Sequence, residues 1–412
     1  MANRHTFRFL SLIALALGWH GASSVAQTVA IVGKTVHTQG AAGTLKDGLV
    51  LIRDGKIAAV GPVAQLPALP AEIPVLRAEV VTPGLIDAHS TVGLTGILNY
   101  EHDQEQLDRS GPIQPELRAI DAYNPQDKLI TWLREFGVTT VHTGHAPGEL
   151  ISGQTAVLKT TGNTVADALL VETAAVAATL SPAARRDGKQ SPGTRAKMMA
   201  MLRAEFLKAQ EYRRKSGAED VEKRPARDLR LETLSRVLAG ELALMVTANR
   251  AQDIASVLRL AEEFKIRIWL DGAAEAYLLT DAIKAAGVPV IVHPTMQRAV
   301  GETENLSFET AATLRTAGIP IAFQSGYESY VPKTRVVLFE AAVAAANGLT
   351  FDQALAGITI DAARLLGIDK RVGSLDVGKD GDVALYDGDP FEYTTHCVGT
   401  VINGVVVSQT KR

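Results

Sequence analysis

Between residues 241 and 325 the chain alternates short apolar runs with helical ones. ELALMVTA is followed by the amphipathic AQDIASVLRLAEEFK, then come KIRIWL, AAEAYLLTDAIKAAG, VPVIVHP, a helical stretch containing AATLRTAG, and IPIAFQS. Nothing else in the sequence constrains the fold as much. Strands separated by one helix each imply right-handed βαβ units and a parallel sheet. The pattern extends over residues 84–370, which suits an α/β fold of the (β/α)8 TIM-barrel kind, about 250 residues plus insertions. One insertion is visible in SPGTRAKMMAMLRAEFLKAQEYRRKSG, which predicts a long helix stopping at Gly217.

The two ends read differently. Residues 27–83 hold TVAIVGKTVHT and a hairpin, GLVLIRDGKIAAVG, around Asp54-Gly55. Residues 371–412 hold DVALYDGDP and GTVINGVVVSQT, the latter turning at Asn403-Gly404. Together they predict a small composite β-sandwich drawn from both termini. At the start, Arg4, His5 and Arg8 precede FLSLIALALGW, an apolar run too short to span a bilayer well. Ser24-Val25-Ala26 then offers small residues for cleavage. The expectation is a signal peptide over residues 1–26, cut between Ala26 and Gln27, and a periplasmic or secreted product with no later membrane span. A net charge of −3 argues against nucleic acid as a partner. The single cysteine, Cys397, excludes an internal disulfide and a thiolate-rich zinc site. Its apolar strand context makes it packing rather than a nucleophile.

In a barrel of this kind the reacting groups sit at the C-terminal ends of the strands. VTPGLIDAH puts His89 there on strand one. With RDGKIAAVG near the N-terminus and TIDAARLLGIDKRVGSLDVGKDGDVALYDGDP near the C-terminus, this stretch resembles the amidohydrolase superfamily, imidazolonepropionase-like branch, over nearly the whole chain after residue 26. The resemblance implies a metal-dependent hydrolase barrel with a composite sandwich, acting on carbon–nitrogen bonds other than peptide bonds. It also implies a binuclear centre. Its ligands would be two His two residues apart on strand one, a Lys or carboxylate from strand four, one His each from strands five and six, and an Asp on strand eight that also serves as base. A divalent ion needs such neutral imidazoles and carboxylates to be held and to lower the pKa of its water.

Carried over position by position, little of that set survives. His89 matches the first His, but Thr91 replaces the second. On strand five, VTANR places Thr247 and Asn249 where relatives carry histidines. On strand six, LDGAAEAY places Gly272 at the ligand position, with Glu275 matching an accompanying Glu. On strand eight, AFQSGYES puts Ser325 or Gly326 where the catalytic Asp belongs. VETAAVAATL on strand four has no Lys, and Lys159 is the nearest substitute. Hydroxyls and amides do not replace imidazoles for a transition metal without a large loss of affinity.

Other histidines offer an alternative set. His142 ends strand two, His145 follows in a Gly/Pro loop, and His293 ends strand seven. With His89 they line one side of the predicted mouth, Gln324 and Ser325 between them, and would hold one divalent ion, zinc first. The competing reading is a group of hydrogen-bonding histidines that shapes the cleft. His37 and His396 fall in the sandwich as structural residues, and His102 lies in the loop after strand one. Neither Ser90 nor Ser325 sits in a nucleophile elbow, and Ser152-Gly153 is too short to make an anion nest. Two functions follow from the sequence. One is a non-catalytic exported family member, a homo-oligomer or a partner of an intact relative in a mixed oligomer. The other is an active hydrolase with a rearranged mononuclear histidine site. Beyond these two stands a binder of neutral small molecules in a polar pocket of Thr91, Thr247, Asn249 and Ser325.

Overall fold

The computed structural model describes residues 28–98, 100–186, 190–293, 297–327 and 336–412. The predicted signal peptide and its cleavage point lie outside the described residues. The chain opens with β1 (Thr28–His37), β2 (Thr44–Arg53), β3 (Lys56–Pro62) and β4 (Val75–Pro83). Asp54 and Gly55 both have positive φ, 52° and 77°, so the β2–β3 hairpin turns with the twist its strands require.

Ten short strands follow: β5 (Leu85–Ser90), β6 (Val138–Thr143), β7 (Ile151–Gln154), β8 (Ala156–Lys159), β9 (Leu169–Val171), β10 (Ala175–Thr179), β11 (Ala243–Ala248), β12 (Ile268–Gly272), β13 (Val290–Val292) and β14 (Ile321–Phe323). From β10 to β14 every neighbouring pair is parallel. Helices Ala251–Phe264, Thr280–Ala286 and Thr310–Thr316 supply the crossovers after β11, β12 and β13. Helix Arg195–Ser216 forms the insertion between β10 and β11, with Gly217 at its C-cap.

One stave departs from the all-parallel expectation. β7 and β8 form a single strand over residues 151–159 that runs against its neighbours, β7 pairing with β10 and β8 with β6. The reason is the link before it. Residues 144–150 contain no helix, and so short a link cannot make the crossover, about a dozen residues or more and usually helical, that returns a chain parallel. β14 lies against β5, where the Ser325 N–H donates to Asp87 at 3.0 Å. Side chains alternate along the strands. Met245, Trp269, Ile291 and Ala322 point into the barrel, while Leu244, Val246, Leu270 and Phe323 pack under the helices.

The chain ends with β15 (Val383–Tyr386), β16 (Cys397–Ile402) and β17 (Val405–Ser408). They join β1–β4 in one seven-stranded sheet of order β17-β16-β15-β4-β1-β2-β3. Its two ends meet. Gly381 N–H donates to the Gly55 carbonyl and Gly404 N–H to the Gly381 carbonyl, so the sheet folds over its own core of Ile31, Ile52, Leu385 and Val401. Cys397 is buried in β16.

A buried ionic clasp fastens this sheet to the base of the barrel. Lys159 Nζ reaches Asp380 at 2.8 Å and Asp382 at 2.9 Å and also bonds Asn403. Arg371 and Lys56 add to Asp380. Lys159 is therefore not a strand-four metal ligand. Because its strand is reversed, its C-terminal end points away from the mouth.

Candidate active site at the barrel mouth

The period-two register carries four polar side chains upward from the barrel core. Two residues beyond Met245, Trp269, Ile291 and Ala322 stand Thr247, Asp271, His293 and Gln324. Thr247 and Asp271 face each other across β11 and β12, and Thr247 Oγ1 donates to Asp271 Oδ2 at 2.6 Å. The other carboxylate oxygen receives His89 Nδ1 at 2.8 Å and Gln324 Nε2 at 3.0 Å. Asp271 thus accepts three hydrogen bonds, two on Oδ1 and one on Oδ2, and it is 1% exposed.

Burial opposes charge on both members of the His89–Asp271 pair. Their mutual attraction outweighs it, so the imidazole is held above its ordinary value and the carboxyl below. The pair is an imidazolium–carboxylate. Asp87 is separate. It accepts from the hydroxyl and the N–H of Ser325, and burial pushes it up to about 6 against the pull of those bonds. His142 spends both nitrogens: Nδ1 donates to the Ala88 carbonyl at 2.6 Å, and Thr155 Oγ1 donates to Nε2 at 2.7 Å. Burial, then the neighbouring His89 charge, push it down to about 3. His145 and His293 are each pushed to about 4 by burial.

Above this network lies a cleft of about 450 Å3. Thr247, Asn249, Asp271, Gly272, Gln324 and Ser325 contribute to its wall, with Arg298 and Glu302 at the rim. Three of the four family positions, Thr247, Gly272 and Ser325, therefore line it. Thr91 does not: it is fully buried. The neutral pocket expected from the sequence is also corrected, because Asp271 sits in its wall. Gly272 has φ +74°, and a Cβ there would lie 2.7 Å from Asn249 Oδ1. Glu275 belongs to the scaffold, accepting from Ala251 N–H at the start of helix Ala251–Phe264 and from Asn305.

Of the four candidate histidines, His89 and His142 come together, with ring centroids 5.9 Å apart. His145 packs instead against Gly153 in β7, where a Cβ would lie 2.3 Å from its Nε2. His293 is buried with neither nitrogen bonded, and His89 Nε2 has no hydrogen-bond partner. Ser152 hydroxyl turns to the Ala146 carbonyl. His37 bonds Thr44 across β1 and β2, His396 bonds Asp387 in the link between β15 and β16, and His102 is exposed beside Asp103. Asp271 is the central residue that sequence reading missed. The signal is its even spacing from Trp269, which the family pattern's mark on Gly272 beside it obscures.

No group of three or more His, Cys, Asp or Glu among the described residues is spaced to hold a metal. At the positions where the family pattern places ligands stand a threonine, a glycine and a serine, Thr247, Gly272 and Ser325.

The architecture and the placement of this mouth define a class, the TIM barrel of metal-dependent hydrolase type with an added β domain. Residues 126–408 match the amidohydrolase family, and the chain belongs to it. It is 26% identical to the imidazolonepropionase of Mesorhizobium japonicum, covering 84% of this chain and 87% of that one. It is 29% identical to that of Rhizorhabdus wittichii, covering 84% and 89%. Among solved structures, an amidohydrolase of Thermotoga maritima MSB8 superposes with a TM-score of 0.86 at 26% identity, covering 93% of this chain and all of that one. A zinc-bound adenosine deaminase of Xanthomonas campestris, 16% identical with a TM-score of 0.53 and 92% of each chain covered, shares the fold.

Proposed function

We propose that this chain is an exported amidohydrolase-family protein that does not assemble the family's binuclear centre. On this reading it acts without catalysis, as the partner of an intact relative in a mixed oligomer. Descent gives it the barrel of a hydrolase of non-peptide carbon–nitrogen bonds. The observation that carries the proposal is the state of Asp271. Its oxygens are taken by His89, Thr247 and Gln324, protein groups that do the neutralising and orienting a metal would do. A buried carboxylate already paired and hydrogen-bonded gains little from an ion and would lose its partners to one. The loss of a strand-eight carboxylate at Ser325 also removes the general base.

The test is metal content of the full chain, purified without chelators or a histidine tag, by mass spectrometry. Near-zero zinc, iron, manganese and nickel per chain is expected, unchanged after zinc is offered. One or two ions per chain would sink the proposal. Co-expression with an intact relative should yield a mixed oligomer in native mass spectrometry. Export is checked by N-terminal sequencing, which should begin at Gln27.

A second reading has one observation in its favour. His89 Nε2 and both His293 nitrogens are buried without partners, and such groups carry a cost unless something satisfies them. A single zinc there would serve a mononuclear hydrolase. It predicts close to one ion per chain, lost in His293→Ala.

A further inference from the structure

Three side chains at the floor of the cleft, Thr247, Gln324 and Ser325, turn acceptors toward it. Thr247 gives its hydroxyl proton to Asp271, and Ser325 gives its own to Asp87. The Gln324 amide donates to Asp271 at 3.0 Å and to the Ile291 carbonyl at 3.2 Å. What these three side chains have left to offer is oxygen lone pairs. The charge beneath them has the same sense. Two buried carboxylates, Asp87 and Asp271, stand against one charged imidazole, His89, and of these only Asp271 reaches the cleft wall. At the rim Arg298 and Glu302 oppose each other, and Glu302 is further engaged by Arg195 at 3.2 Å. Three acceptors at the floor, over an excess of buried negative charge, suit a cation with N–H groups, and the Asn249 amide, whose Oδ1 takes the Ala274 N–H, adds a donor at the wall.

We infer that this cleft binds a small organic cation bearing N–H donors, a guanidinium or amidinium head on a short chain, seated on Thr247, Gln324 and Ser325 above Asp271. The inference rests on the metal-free reading of the site, since an ion at Asp271 would reverse the charge of the floor. It makes the mouth a recognition site and needs no bond to be broken.

The full chain is titrated calorimetrically with butylguanidinium, with butylurea as its neutral counterpart and with butyrate as an anion. Bound metal is quantified on the same sample. Butylguanidinium should bind, butylurea about tenfold more weakly, and butyrate not at all. Thr247→Val, which keeps the shape and removes the acceptor, should weaken butylguanidinium several-fold. Ala183→Trp places a large ring at the exposed edge of the cleft, away from the buried network, and should abolish binding in a chain that melts normally. Equal binding of butylurea overturns the inference, as does butylguanidinium binding untouched by Ala183→Trp. Absent metal with no butylguanidinium binding overturns this inference alone, whereas stoichiometric metal overturns the proposed function with it.

Discussion

Asp271 holds the mouth together through three hydrogen bonds, and the cost of removing it should be large. In Asp271→Asn, His89 loses its counter-charge while staying buried. Breaking one side of a buried pair costs about 3–5 kcal/mol, and here the lower end is expected, because an imidazole has the option of becoming neutral. Urea unfolding at pH 7 measures the loss, and an NMR titration should show His89 falling below its ordinary value of 6.5. A second residue-scale prediction concerns restoration. Gly272→His introduces the residue type the family pattern expects, but at φ +74° and against Asn249 Oδ1. The left-handed backbone alone costs roughly 1 kcal/mol or more for a side chain. The variant should melt lower than the parent and gain no zinc. These residues were only half visible in the sequence. His89, Thr247, Gly272 and Ser325 stand out because a family pattern marks their places. Asp271 and Asp87 do not, because a carboxylate in a strand reveals its partners only when the strands are side by side.

At the scale of the element, the reversed strand over residues 151–159 matters most. It closes the barrel by pairing with β10 at one end and β6 at the other, and it aims Lys159 at the base. Lys159→Met should leave Asp382 with one donor, the Asn403 N–H, while Asp380 keeps Lys56 and Arg371. A destabilisation of about 3 kcal/mol at pH 7 is expected. Asp382 already lies above the ordinary carboxylate value through burial. Losing the lysine raises it further, and a group with a raised folded pKa recovers stability as pH falls through that value. The deficit of the variant should therefore shrink below neutral pH, which denaturant midpoints at pH 5 and pH 7 will show. The alternating pattern from residue 241 onward made the parallel strands legible. The 151–159 strand was not, since its direction depends on a missing helix rather than on any residue.

For the molecule as a whole, the buried imidazoles set the response to acid. His142, His145 and His293 lie at about 3, 4 and 4 when folded, against 6.5 unfolded. Between these values the unfolded chain binds more protons, so stability falls as pH drops below about 6.5. Asp87, raised to about 6, opposes them: the folded chain holds its proton between about 6 and 3.8, and its contribution to stability grows as pH drops. Near pH 5 these four groups sum to about two protons taken up on unfolding, roughly 2.7 kcal/mol lost per pH unit, with His37 adding to the loss and Asp127 and Asp382 opposing it. Thermal melts from pH 7 to pH 4.5 should show this slope, and His293→Asn should reduce it by about one proton. A flat profile would mean that these rings are charged or exposed in solution.

The sequence by itself determined the barrel, because strand–helix alternation leaves few ways to bury both faces of a sheet. It also determined the family, because VTPGLIDAH and the segment from Thr359 to Pro390 keep their character at opposite ends of the chain. The substitutions at positions where the family pattern expects ligands could be read one by one. Only the tertiary structure decided what stands in their place. The His89–Asp271 pair joins residues 182 positions apart, the Ser325–Asp87 bond spans 238, and the Lys159–Asp382 clasp spans 223. Such contacts leave no local periodicity. They are fixed by which strand tops meet around the barrel and by how strongly a low-dielectric interior favours pairing each buried charge.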